Sequence, residues 1–490
     1  MGKNHVTAGR RRVVGQVPRE LTPLESALHF FGAQLRHWRT ARELSQAALG
    51  RRTHDSGALI GKIEKGERFP SHALTRRLDV ALDTGGALER LWPQVERERA
   101  SRDAPGDAPA SGDGSVPGDL GLAWPATPHA TVEIVAKLWR MDLDRRAVLA
   151  SAAWVAAAFA GPTHEWLLNR RDEILGDRSG RAVGQRDVDA LWAMCDAFTS
   201  ADQRLGGGYA RSTLLHYINQ AVLPLLHGSY NDTIGRELMA ATARLCDLCG
   251  FMSFDSGRQG LAQRYFIQAL RLAQASGNRA LGAHILADMS IQAHYLGDAP
   301  QALDLASAGL RTGLDCGSPS TAARCAALQG RAHALHGDRR ACAQACTIAE
   351  KTLDRAMPAD EPAWIQFFTA KALTGEMLTI ARDLGRHQDV QRLAPGALDS
   401  PDHLERRRVL WTTYLASSYL PSPSNPRSDI DRACDLLGQV IPSLSSLSSA
   451  RGLEGVNSVR RALVAHAGRS SVQDVEDRFR STIAAVGPPR

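Results

Sequence analysis

Three groups of residues in this 490-residue chain have types and spacings that could carry chemistry. Cys246-Asp247-Leu248-Cys249 is a C-x-x-C, the spacing used by zinc sites and dithiol redox centres. A four-ligand zinc site needs a second pair, and no other C-x-x-C or neighbouring Cys/His pair supplies it. Both cysteines are therefore expected to be packing residues, as are Cys342 and Cys346 one helical turn apart. Gly206-Gly207-Gly208 is a glycine turn without the Lys and Ser/Thr of a phosphate loop. Arg145-Arg146, ahead of an Ala-rich run to Phe159, has the form of a twin-arginine export signal. It begins far inside the chain, and its apolar run is too short to span a membrane, so a buried helix is expected. H-E-x-x-H, G-x-x-x-x-G-K and a nucleophile elbow do not occur, and the sixteen histidines are scattered. No enzymatic activity, cofactor or metal is expected.

Charge is distributed unevenly. The chain has 59 Lys+Arg and 52 Asp+Glu, a net +7. Residues 1–100 hold 18 basic and 11 acidic residues, and the other 390 hold 41 of each. The whole surplus lies in the first fifth of the chain, an asymmetry typical of a nucleic-acid-binding end on a neutral body. Arg abundance alone says little, since only six of the basic residues are Lys and Ala is plentiful, as in GC-rich coding. Eight cysteines without a signal peptide suit a reduced, cytoplasmic, nucleoid-associated chain, and no run of 18 apolar residues predicts a membrane span.

Helical periodicity dominates, so the expected class is all-α. Residues 1–22 read as a basic disordered arm containing Arg10-Arg11-Arg12, and residues 23–97 as a compact five-helix module. Residues 98–130 read as a Pro/Gly/Asp-rich linker; five Pro and five Gly between 101 and 130 leave little apolar surface to offset ordering entropy. Connecting helices are expected over 131–164 and a helix-pair array over 165–485.

The array repeats. Gly257, Gly297 and Gly337 stand 40 residues apart at short turns. Small residues recur at fixed offsets: Gly250, Ser290 and Gly330 before each turn, then Ala262, Ala302 and Cys342, then Ala269, Gly309 and Ala349. Such positions let two antiparallel helices approach closely, the signature of a solenoid. The pattern resembles a stretched tetratricopeptide repeat over about 240–357. A weaker unit follows at Gly385, with Val390, Ala394 and Ala397, and segments 188–227 and 404–446 look like pairs without the signature.

In the N-terminal module, Leu28, Phe31, Leu35 and Trp38 share one helical face, and Ser45 is a good N-cap. The stretch Leu44-Ser45-Gln46-Ala47-Ala48-Leu49, then Leu59-Ile60-Gly61-Lys62-Ile63-Glu64-Lys65-Gly66, then Arg68-Phe69-Pro70, resembles the XRE (phage-repressor) helix-turn-helix family. The resemblance implies a core of Leu35, Leu49, Ile60, Ile63 and Leu74, with Glu64 bridging inside the module. It implies a phosphate contact from Gln46 and a recognition helix after Ser56 in the major groove of double-stranded DNA. His54, Ser56, Gly57, Ala58, Lys62 and Arg68 are the other expected DNA-side positions. Gly57 and Ala58 stand where the family usually carries base-reading amides or guanidiniums, so the positive charge explains affinity better than base discrimination.

By resemblance, the array's first helices line a concave groove for an extended peptide or protein. That places Arg244, Asp247, Phe251 and Phe254 on the wall, then His284, Ile291 and His294, then Arg324 and Arg331. The plan is similar to that of bacterial regulators joining these two modules. It implies a DNA-binding transcriptional regulator, most simply a homodimer, whose array dimerises or senses a signal. The competing reading is a protein–protein adaptor with a degenerate, non-specific DNA-binding module.

Overall fold

The computed structural model describes residues 26–103, 120–143, 153–156, 158–168, 172, 180–399, 404–422, 425 and 428–486. The Arg10–Arg12 arm and the Arg145-Arg146 pair lie outside the described residues, as do 104–119 of the expected linker. Among the described residues there are helices and two isolated bridges, and no strand. No described helix is long and apolar enough to cross a membrane.

Five helices form the N-terminal unit: α1 (Ala27–Ala41), α2 (Gln46–Thr53), α3 (Gly57–Glu64), α4 (His72–Leu82) and α5 (Ala87–Asp103). Serines start four of them: Ser26, Ser45, Ser56 and Ser71 each accept a hydrogen bond from the N–H three residues on. Each cap satisfies a donor that a helix start leaves orphaned. Leu35, Leu49, Ile60, Ile63 and Leu74 are buried together in the core, as expected.

Next come α6 (Pro128–Leu143) and α7 (Ala160–Leu167). Residues before and between them are pinned on α11 (Gln259–Ser276), which explains that helix's buried polar side chains. Gln268 donates to the carbonyls of Gly121 and Ala123, Arg271 to Pro125, and Gln263 to Val155.

The array begins with α8 (Gln185–Leu205) and α9 (Gly207–Tyr217), which runs on through Leu226. Helix pairs follow: α10 (Asp232–Asp255) with α11, α12 (Arg279–Tyr295) with α13 (Ala299–Asp315), α14 (Pro319–His336) with α15 (Arg339–Leu353), and α16 (Ala370–Asp383) with α17 (His387–Leu398). Turns at residues 257, 277, 297, 317 and 337 are all glycines with φ between 70° and 87°. The left-handed conformation favours Gly because it has no Cβ. Pairs thus recur every 40 residues as expected, with a helix-to-helix step of 20; Gly277 and Gly317, unremarked in the sequence, mark the turns between pairs.

The last helices, α18 (Glu405–Ser417), α19 (Ile430–Val440), α20 (Ala450–Leu463) and α21 (Ser470–Val486), bring the array back onto its own beginning. Arg406 Nη1 lies 2.9 Å from Asp202, and Arg451 Nε lies 2.9 Å from Asp255. Gly208 N–H donates to Ser448 O at 2.9 Å, and Ser448 N–H to Leu205 O at 2.8 Å. The glycine triplet serves this approach: a Cβ on Gly206 would come 2.6 Å from Ser448 O.

The N-terminal unit docks on the array through α1 and the start of α5. Arg90 Nε donates to Tyr295 O at 2.6 Å, and its guanidinium stacks 4.3 Å from the Tyr295 ring. Tyr295 in turn donates to Glu454, and Arg461 reaches Glu89 at 3.3 Å. Gly297 of the array sits beside Ala87 and Trp38.

Candidate nucleic-acid interface and central cavity

Helices α2 and α3 meet across the turn at Thr53–Asp55, which Arg77 of α4 clamps. Its Nε donates to Thr53 O and its Nη2 to Asp55, both at 2.8 Å. Nothing in the local sequence pattern marks Arg77, because its partners lie more than 20 residues away. Glu64 is buried at the end of α3 and accepts from Arg39 Nη2 at 3.0 Å and from Gln46 Nε2 at 2.7 Å. Glu64 therefore bridges within the module.

Gln46 thus gives one of its two amide N–H groups to Glu64, and its side chain remains half-exposed. Gly57 also has a packing role. A Cβ there would meet the backbone of Ala47 at 2.8–2.9 Å, so the residue sets the close crossing of α2 and α3. His54 closes α2 in the left-handed region at φ 59° with its side chain exposed. Ser56 and Ala58 are exposed at the start of α3, and Arg51, Arg52, Lys62, Lys65 and Arg68 are exposed around the α2–α3 unit. The array docks on α1 and α5, leaving these side chains open to solvent. Two short helices across a tight turn, the second presenting Ala58 and Lys62 with Ser56 at its cap, are the geometry that seats a helix in a DNA groove. Residues 31–92 match the helix-turn-helix domain family. This helix-turn-helix domain is a DNA-binding domain, and its match covers α2, α3 and α4 in full. No curated protein matches the chain.

Beyond the helix-turn-helix domain, the structure brings the expected groove residues together around a partly covered cavity. Arg244, Phe251, His284, Ile291, Arg324 and Arg331 line a cavity of about 160 Å³, with Asp247, Phe254 and His294 buried beside it. α18 and α20 roof the concave face: Arg406, Arg407, Trp411 and Tyr414 of α18 and Arg451 of α20 complete the lining. Long-range closure of this kind leaves no local signal in the sequence.

The wall residues are paired with one another. Arg244 Nη1 bonds Asp247 at 2.5 Å, Arg324 bonds Asp288, and Arg331 Nη1 bonds Glu376 at 3.0 Å. His284 lies between two guanidiniums. Arg324 Nη1 lies 2.9 Å from its Nδ1 and Arg244 Nη1 3.2 Å from its Nε2, with Asp288 and Asp247 at 3.5 and 3.6 Å from Nε2. Burial, then Arg324 and Arg244, hold its pKa well below the usual histidine range. Asp247, His284 and Asp288 are close enough to cage a cation. The two guanidiniums already balance those carboxylates, and a cation there would face both. The C-x-x-C belongs to the core: Cys246 and Cys249 are fully buried free thiols, pushed upward in pKa mainly by burial.

His294 provides a pH prediction. Its Nε2 lies 2.8 Å from Asp383, and Arg331 donates to its Nδ1 at 2.9 Å. Two listening partners of opposite charge fit a neutral ring with the proton on Nε2, so the Asp383 contact is a hydrogen bond rather than an ion pair. Burial, then Arg331, lowers its pKa to about 4, against the pull of Asp383. Between that value and the unfolded value of 6.5 the unfolded chain binds the extra proton, so stability falls as pH drops through this window. The contribution is roughly 3 kcal/mol. His294→Gln, which can still donate to Asp383 and accept from Arg331, is expected to lose less stability than wild type between about pH 7 and pH 4.5 in urea unfolding. Equal acid losses in the two proteins would remove His294 as the cause.

Proposed function

We propose that the chain is a transcriptional regulator of the XRE type. Its helix-turn-helix domain engages operator DNA, most simply as a homodimer on a two-fold site. Its tetratricopeptide-like array carries the signal-responsive or dimerising role. The observation supporting this reading is the exposed basic face of α2–α3, which the docked array leaves uncovered. Net positive charge confined to this end supplies phosphate affinity, and α3 supplies what base contact there is, through Ser56, Ala58 and Lys62.

The test is selection of one sequence from a random pool by the full-length chain at about 150 mM salt. A regulator enriches a defined site, whereas an adaptor with non-specific docking loses all DNA together as salt rises. On the selected site, Lys62→Ala is expected to weaken binding by ~1–3 kcal/mol. An equal loss on unselected duplex would reduce Lys62 to a phosphate contact.

A further inference from the structure

Two histidines face each other where the helix-turn-helix domain meets the array. His37 of α1 and His336 at the end of α14 stack across the contact, with ring centroids 6.1 Å apart and planes 23° from parallel. His37 is half-buried there. Burial, then His336, lower its pKa, and no carboxylate among the described residues opposes them. His336 shares its turn with His333 and Asp338. Asp338 caps α15 by accepting from Ala341 N–H at 2.9 Å, which holds its carboxyl below the usual range and keeps it charged. The exposed Arg339 and Arg340 follow it, so the turn offers no surplus of negative charge to a protonated ring.

One pair across the contact works the other way. Asp83 of the α4–α5 turn favours protonation of His387 on α17, but burial outweighs it and the net shift is downward. A group that binds protons more weakly when docked than when free opposes docking as pH falls. Acid also sets two like charges 6.1 Å apart on opposing elements, at a depth where water screens them only in part.

The remaining contacts do little to resist release. Arg461 and Glu89 form a partly exposed pair at the rim, and Arg90 stacks on Tyr295 at part-buried depth. Trp38 adds a cost to docking. Its indole N–H is buried beside Gly297 of the array and meets no acceptor. Withdrawal of Gly297 lets water satisfy that donor.

We infer that the docking of the helix-turn-helix domain on the array is an acid-released latch, in which proton uptake by His37 and His336 drives the two apart while each stays folded. Docking fixes the direction of α3 relative to the array, so release frees the spacing of two such domains on a two-fold site. That consequence rests on the reading of the chain as an operator-binding regulator; the latch itself does not.

The experiment follows the full-length chain, without DNA, by small-angle scattering and far-ultraviolet circular dichroism between about pH 8 and about pH 5. The radius of gyration is expected to rise on acidification with helicity unchanged. His37→Gln and His336→Gln, which keep polar side chains of similar size, should each move that transition down by about one pH unit or more. The double variant His37→Arg/His336→Arg carries both charges permanently and should be open throughout the range. The latch is overturned if wild-type dimensions stay constant, if they change only together with loss of helicity, if either glutamine variant opens at the wild-type pH, or if the double arginine variant stays closed. An acid-opened chain that selects no DNA sequence keeps the latch and retires the regulator. A selective chain whose dimensions ignore pH retires the latch alone.

Discussion

Asp255→Ala is expected to cost about 3–5 kcal/mol and to open the array where its last helices meet its first. The Asp255 side chain has no solvent exposure and accepts from Arg451 Nε at 2.9 Å, Ser449 Oγ at 2.8 Å and Gly207 N–H at 3.0 Å, with Arg406 at 3.5 Å. Burial by itself would raise its pKa, but Arg406 and Arg451 outweigh burial and hold it below the usual carboxylate range. Without Asp255, Arg406 still has Asp202, whereas Arg451 keeps a buried guanidinium with no carboxylate. Removing one partner of a buried pair costs far more than the pair contributes, because the other charge stays desolvated. Denaturant unfolding of the full chain measures the loss. A value below about 1 kcal/mol would show that the clasp contributes nothing beyond a surface pair.

Glu64→Ala should have the next largest effect, about 3 kcal/mol, and should reduce DNA binding on every sequence. Glu64 ties α3 to Arg39 of α1 and to Gln46 of α2, and its carbonyl accepts from Arg36 at 2.8 Å. Arg39 is 13% exposed, so water relieves part of the lost pairing and the cost sits at the lower end for a buried ion pair. With α3 no longer held in register, its exposed groups cannot meet the groove together. Unfolding curves and binding to a mixed-sequence duplex read the two effects separately. Wild-type unfolding in the variant would mean that Leu49, Ile60 and Ile63 position α3 unaided.

The DNA-binding module was legible in the sequence because its signals are local. Ser45, Ser56 and Ser71 cap the helices they precede, Gly66 stops α3, and the core positions fall at helical spacing. The array was legible for the same reason, through glycines at its turns, although Gly277 and Gly317 went unread. Glu64's bridging was legible; the capture of Gln46 by that bridge, and the packing role of Gly57, were not, since both depend on how closely α2 crosses α3. The cavity was half legible. Its inner wall follows from the repeat register, but its roof comes from Arg406 and Arg451, whose partners Asp202 and Asp255 lie 204 and 196 residues away. No window of sequence contains such a pair.

That clasp alters how the array should fold. An open stack of helix pairs has only nearest-neighbour contacts, so it can nucleate anywhere and fray from either end. Joining Asp202 to Arg406 makes the two ends of the stack neighbours, and neither can melt without releasing the other. Unfolding becomes more nearly all-or-none. Folding acquires a late step, since closing a loop of 204 residues must follow the local pairing that shortens it.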